Sequence, residues 1–222
     1  MTSPPVDPRC SAGAPVAGGR GPRRTPRGVL GRSGRPRDEE LTERLLDGAV
    51  DVLAEGGMSL LTVERVASRA GAGRAAVYRR WPDMHHLAAD ALRSCTLVPT
   101  APTTGSLVGD LATLMHPWTR ELDREERAAA ALVGEARTSL AVQTALDEVV
   151  RRPLTAAVTR AVAAERARGR AVPAGREAWV DKVLRALWWS RFVEERAPLT
   201  GPEVLTVVER ALLPVLRAPQ QD

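Results

Sequence analysis

Apolar positions recur at three- and four-residue steps along most of the chain, and hardly anywhere in strict alternation. Between Asp38 and Glu55, Leu41, Leu45, Ala49, Val52 and Leu53 share one stripe of a helix. Acids gather in its first turn, as the helix dipole favours, and Gly56-Gly57 stops it. Thr62 is placed to N-cap a second helix that buries Val63, Val66 and Ala67 and ends at Gly71. A short helix, Arg74 to Arg80, follows. Pro82 breaks the chain, and Asp83 caps a helix expected to run to about Leu97.

Val98 to Gly105, with Pro99, Pro102 and Gly105, reads as a loop between domains. Ser106 then caps a helix to about Leu122, interrupted at Pro117. Helical stretches are expected from Arg124 to Ser139 and from Val142 to Arg168, the second kinked or broken at Pro153. After a loop at Gly169 to Gly175, the last two helices cover about Arg176 to Glu195 and Pro202 to Arg217. The expected fold is all-α: an N-terminal three-helix domain with a helix-turn-helix over residues 37–97, and a C-terminal helical domain over 104–218. No internal repeat is visible.

Composition supports this. Aromatic residues are only 3% of the 222, too few for a β-sandwich, and Ala, Leu, Val, Arg and Glu dominate. Residues 1–36 are rich in Arg, Pro and Gly without apolar period, and are expected to be a disordered tail. A translation start at Val29 is a further expectation, decided by the intact mass. The net charge is +5, but residues 1–37 hold eight arginines and one aspartate, about +7, which leaves about −2 for the rest. The informative excess is local: Thr62 to Pro82 contains Arg65, Arg69, Arg74, Arg79 and Arg80 against Glu64 alone. Cys10 and Cys95 are spaced for neither a disulfide framework nor a metal site. His116 stands alone, so no metal or cofactor is expected. No apolar run approaches the ~18 residues of a membrane span, and no signal-peptide core begins the chain, so a cytoplasmic location is expected.

A helix-turn-helix needs a tight turn, and Gly71 or Gly73 can supply the positive φ. The second helix must keep an apolar face inward, here Val77 and Ala75, and present donors outward. Arg74, Arg79 and Arg80 can fork onto a guanine edge or a phosphate. Thr62, at a helix N-terminus, can hold a phosphate. The small Ala75 and Ala76 permit close approach to a base. For any one of these residues a solvated arginine face, or a core tyrosine at Tyr78, is an equally plain explanation. Their coincidence in the expected order is what carries weight.

The segment RVASRAGAGRAAVYRRWPDMHHL resembles the DNA-binding domain of TetR/AcrR-type transcriptional regulators, over about Arg37 to Leu92. The resemblance implies that Thr62, Arg74, Ala76, Tyr78 and Arg79 or Arg80 face DNA, with the Tyr78 hydroxyl on a phosphate. One position departs. Such proteins usually carry a lysine after the residue capping the fourth helix, and this chain has Met84, so that phosphate contact is lost or passes to His85. Arg35 and Arg37, in a Gly-Arg-Pro-Arg arm before the first helix, resemble minor-groove readers; a merely solubilising tail is the alternative.

For the C-terminal half the resemblance implies a ligand-binding and dimerisation domain. Met115, Trp118, Leu132, Val133 and Trp188 are candidates for the lining of an effector pocket. The last two helices carry apolar stripes, from which Leu184, Leu187, Phe192, Val204, Val208 and Leu212 are candidates for a homodimer interface. An intramolecular core would give the same pattern. No GxxxxGK[ST], GxGxxG, GxSxG or HExxH motif is present, so enzymatic function is not expected. The resulting expectation is a homodimeric, ligand-responsive repressor of a palindromic double-stranded DNA operator, answering to a small-molecule effector. A helical protein-binding adaptor is the rival.

Overall fold

The structure, a computed structural model, describes residues 34–99, 104–194 and 197–217, with only the backbone of 34–37 and 217. The tail up to residue 33 lies outside the described residues. Those from Gly34 onward belong to one compact unit, in which every regular element among the described residues is helical.

Four helices come first: α1 (Gly34–Gly56), α2 (Val63–Arg69), α3 (Arg74–Tyr78) and α4 (Met84–Arg93). The first begins four residues before the expected Asp38. Gly34 to Arg37 is therefore its opening turn rather than an arm ahead of it. Pro36 is tolerated there because an amide lost in a first turn has no intrahelical partner to lose. The stripe predicted on α1 is its inner face: Leu45, Ala49, Val52 and Leu53 are buried, and Leu41 is half-buried. Gly57, at φ +66°, ends the helix as its amide bonds the Leu53 carbonyl at 2.9 Å. At the other end of this group, α4 stops at Arg93, short of the expected Leu97.

The second group comprises α5 (Leu107–Leu114), α6 (Arg124–Leu132), α7 (Leu140–Leu146), α8 (Arg152–Ala167), α9 (Arg176–Val193), α10 (Gly201–Val207) and α11 (Leu213–Arg217). Pro117 turns the end of α5 into a 3₁₀ segment, His116–Thr119. Ser139 caps α7, so the helix expected to reach that serine ends at Leu132 instead. The break expected at Pro153 has a specific form: a π turn, Asp147–Arg151, immediately before it. A second π turn, Val208–Leu212, precedes Pro214. A proline donates no hydrogen bond to the carbonyl four residues back and its ring crowds that carbonyl. Widening the preceding turn accommodates both effects without ending the helix.

The two groups share a continuous apolar core. Helix α1 packs on α2, α4 and α6, and α4 packs on α7. Ion pairs reinforce the junction. Arg124 of α6 reaches Asp47 at 2.6 Å and Asp51 at 2.8 Å on α1, while Arg93 of α4 reaches Glu148 at 2.7 Å. Deeper in the second group Glu126, 1% exposed, accepts from Arg120 at 2.6 Å and from the nearly buried Arg191 at 3.0 Å. Trp188 is fully buried and meets Trp118 edge-on, ring centroids 5.0 Å apart.

The apolar stripes of the last helices are corrected here. Leu184, Phe192, Val204, Val208 and Leu212 are buried within a single chain, because α9 lies on α6 and α8, and α10 with α11 on α5 and α9. Leu187 is half-buried. The residues left outward on these helices are different ones: Trp179 (55% exposed), Val193 (70%) and Leu205 (42%).

Candidate nucleic-acid interface

Helix α2 is positioned by Thr62, whose hydroxyl accepts the Arg65 amide at 3.3 Å. The turn to α3 closes when the Ala72 amide bonds the Ala67 carbonyl at 2.8 Å across Gly71, at φ +61°. Gly71 is thus the glycine the turn requires. Gly73, at φ −81°, merely N-caps α3 without a side-chain bond. Any larger residue at Gly71 would be strained by the backbone, although space for it is open.

Five residues make up α3, and its inner face is Ala76 and Val77, 6% and 0% exposed. Inward Ala75 and DNA-facing Ala76 are therefore exchanged relative to the sequence expectation. Ala75 points to solvent, and Ala76 is core. Arg74, Ala75, Tyr78 and Arg79 form the outer face. Arg74 is 67% exposed on its side chain and pairs with Glu64 at 3.0 Å. Tyr78, 65% exposed, holds its ring outside the core, contrary to a core-tyrosine explanation. Arg79 is exposed, and its side chain has no hydrogen-bond or ion-pair partner among the described residues.

Arg80 is turned the other way. Its side chain is 12% exposed, bonds the Thr42 hydroxyl at 2.8 Å and the Ala76 carbonyl at 2.9 Å, and pairs with Asp38. It straps α3 to α1 and is not offered to a ligand. The following residues fix α4. Buried Trp81 donates its indole N–H to Asp90 at 2.8 Å. Asp83 caps the helix by accepting the His86 amide at 2.9 Å, which holds its carboxyl below the usual range. Met84 packs half-buried against the core. His85, the residue to which that phosphate contact could pass, holds its Nε2 3.2 Å from Glu135 in the second group. Of Arg35 and Arg37 only the helical backbone is described; their side chains lie outside the described residues.

A groove of about 1220 Å³ opens where the end of α1 meets α6 and the end of α9. Met115 and Trp118, two of the expected pocket residues, line it. Leu132, Val133 and Trp188 are not among its lining; Leu132 and Trp188 are fully buried and Val133 is half-buried. Glu55, Glu121 and Glu135 on its polar rim carried no signal along the chain, since they come from three separate elements.

A short helix crossing a capped partner through a glycine turn, with basic and tyrosine side chains outward and a helical body behind, defines a helix-turn-helix protein. The family described as bacterial regulatory proteins, tetR family, matches residues 45–91, and the tetracyclin repressor-like C-terminal domain matches residues 101–211. The chain belongs to the TetR family. It is 37% identical over 81 residues to the HTH-type transcriptional regulator YdeS of Bacillus subtilis, covering 36% of this chain and 41% of that one. It is 34% identical over 113 residues to an HTH-type transcriptional regulator of Mycobacterium tuberculosis, covering 50% and 54%. The match thus spans about half the length of these relatives. Among solved structures, a TetR-family regulator of Mesorhizobium loti superposes with a TM-score of 0.61 at 13% identity, over 81% of this chain and 96% of that one. NalD of Pseudomonas aeruginosa, the secondary repressor of the MexAB-OprM multidrug efflux pump, gives 0.54 at 22% identity, over 83% and 99%. These likenesses are of fold.

Proposed function

We propose that this protein is a transcriptional repressor that binds a palindromic operator as a homodimer and releases it when a small molecule binds. It acts by binding alone and catalyses no reaction. The observation that carries the proposal is the outer face of α3, where Arg74, Ala75, Tyr78 and Arg79 are turned to solvent on a helix braced from behind by Arg80. Arg79 is the base-reading candidate, Arg74 and Thr62 serve phosphates, and Tyr78 sets its hydroxyl on the backbone. Ala75 rather than Ala76 approaches the bases. Dimerisation falls to the apolar residues that one chain leaves outward on the last helices, Trp179 and Leu205 with half-buried Val183 and Trp189. Effector binding shifts the separation of the two recognition helices through its preference for one state.

The test is a DNase footprint of the purified protein on DNA flanking its own gene and on a genome-derived fragment library, at two salt concentrations. Protection of a palindrome that weakens steeply with salt is expected. Absence of any protected or selected fragment at either salt overturns DNA binding and leaves the adaptor.

A further inference from the structure

We propose that Glu64 sets sequence specificity: it holds Arg74 back from phosphate until DNA of the right sequence seats α3 in its groove. Glu64 lies in the first turn of α2 and is the only acid between Thr62 and Pro82, a stretch with five arginines. A carboxylate on a surface that grips a polyanion weakens the grip. Where it weakens the wrong complex more than the right one, it acts as a discriminator.

The ion-paired arginines of this stretch differ in where their acids sit. Arg80, 12% exposed on its side chain, pairs with Asp38, and Arg69 pairs with Asp51 at 3.4 Å and with Glu55 at 2.5 Å. Those acids belong to α1, so these pairs tie α3 and α2 to the helix behind them. Arg74 pairs instead with Glu64 at 3.0 Å, and the two side chains are 67% and 58% exposed. An ion pair this open contributes little to stability. It joins the starts of α2 and α3, with Arg74 on the face assigned to DNA, and the inference rests on that assignment.

The effect follows from competition for one guanidinium. A fork that engages the carboxylate is not at the same time engaged with a phosphate. On DNA of arbitrary sequence the protein is held through phosphates alone, without a fixed register. There the carboxylate, already in contact and carried by the same small domain, keeps the guanidinium. On the operator, Arg79 and Ala75 fix α3 against the bases and bring one phosphate to a set position beside Arg74. The phosphate then displaces the carboxylate. Glu64 thus weakens non-specific binding more than specific binding. Its favourable place near the N-terminus of α2 is a separate matter, because the helix dipole acts on Glu64 with or without Arg74.

The test compares the full chain with its Glu64→Gln variant on two duplexes over a range of salt concentrations. One is the fragment protected in the footprint; the other is a shuffled sequence of equal length and composition. Glu64→Gln is expected to bind the shuffled duplex several-fold more tightly. Its plot of log affinity against log salt should steepen by about 0.9, the change for one added phosphate contact. The slope on the protected fragment is expected to stay as it was, because Arg74 already meets phosphate there. The ratio of the two affinities therefore falls several-fold. In an Arg74→Gln background, Glu64→Gln is expected to leave the shuffled-duplex slope unchanged. A helix-dipole role alone would lower the unfolding midpoint in both backgrounds and leave the ratio untouched, which overturns the proposal. A steeper slope that persists without Arg74 overturns it too. If parent and variant bind both duplexes with the same ratio, the role of Glu64 fails and the repressor stands; if neither protein binds any DNA, both fail.

Discussion

At the scale of single residues, two adjacent arginines illustrate how little side-chain type says about role. The Arg79 side chain is exposed and unpartnered among the described residues, whereas that of Arg80 is 12% exposed and held by α1. Arg79→Ala is expected to weaken operator binding by about 1–3 kcal/mol, the worth of one base-reading contact, with no change in urea midpoint. Arg80→Ala is expected to do the reverse first, lowering the midpoint because it removes the strap across α3. Gel shifts and urea denaturation on the same preparations separate the two; equal losses of affinity without destabilisation would refute the assignment. Cys95 offers a pH-dependent case. Burial pushes its thiol up to about 12, so the native state favours the protonated form. The unfolded thiol ionises near 9. The stabilisation is therefore complete below about pH 9 and is lost as pH rises from there towards 12. In a Cys10→Ser background, Cys95 is expected to resist a thiol reagent at pH 8 until denaturant is added.

At the scale of elements, the tie between α6 and α9 passes through one buried carboxylate. Glu126 accepts from Arg120 and Arg191 and also takes the Asp123 amide at 3.0 Å, completing the cap of α6. Glu126→Ala leaves Arg191, 8% exposed, without its counter-charge, and a loss of about 3–5 kcal/mol is expected in urea unfolding. A loss under about 1 kcal/mol would show that the pair is replaceable. Caps of this kind were legible in the sequence, because Thr62, Asp83 and Ser106 each act within three residues. The phase of α3 was not. Five residues give too few apolar positions to decide between Ala75 and Ala76. Nor was the fate of Arg80, whose partners Asp38 and Thr42 lie 42 and 38 residues earlier. Their four-residue spacing on α1 was the available signal. The break expected at Pro153 could not be distinguished from a simple kink, and the π turn before Pro214 carried no expectation at all.

For the whole molecule, the sequence pattern gave the all-helical division into a recognition part and a larger body, because helical periodicity and capping are local. It left open which apolar stripe belongs to the core and which to a partner, because both look the same along one chain. The fold buries Leu184, Val208 and Leu212 and leaves Trp179 and Leu205 outward. Trp179→Glu/Leu205→Glu is expected to shift the protein from dimer to monomer in light scattering and to reduce operator affinity by about tenfold or more, since two half-sites are then no longer linked. A variant that remains dimeric places the interface elsewhere. Finally, Asp51 sits between the two helical groups. One of its oxygens faces Arg124 of the body at 2.8 Å and the other faces Arg69 of the recognition part at 3.4 Å. A single carboxylate answering to both sides is a natural reporter. Its side-chain carbon resonance, isotope-labelled and followed by NMR, should move when either DNA or effector is added, and the two displacements should reveal whether the second ligand undoes what the first has done.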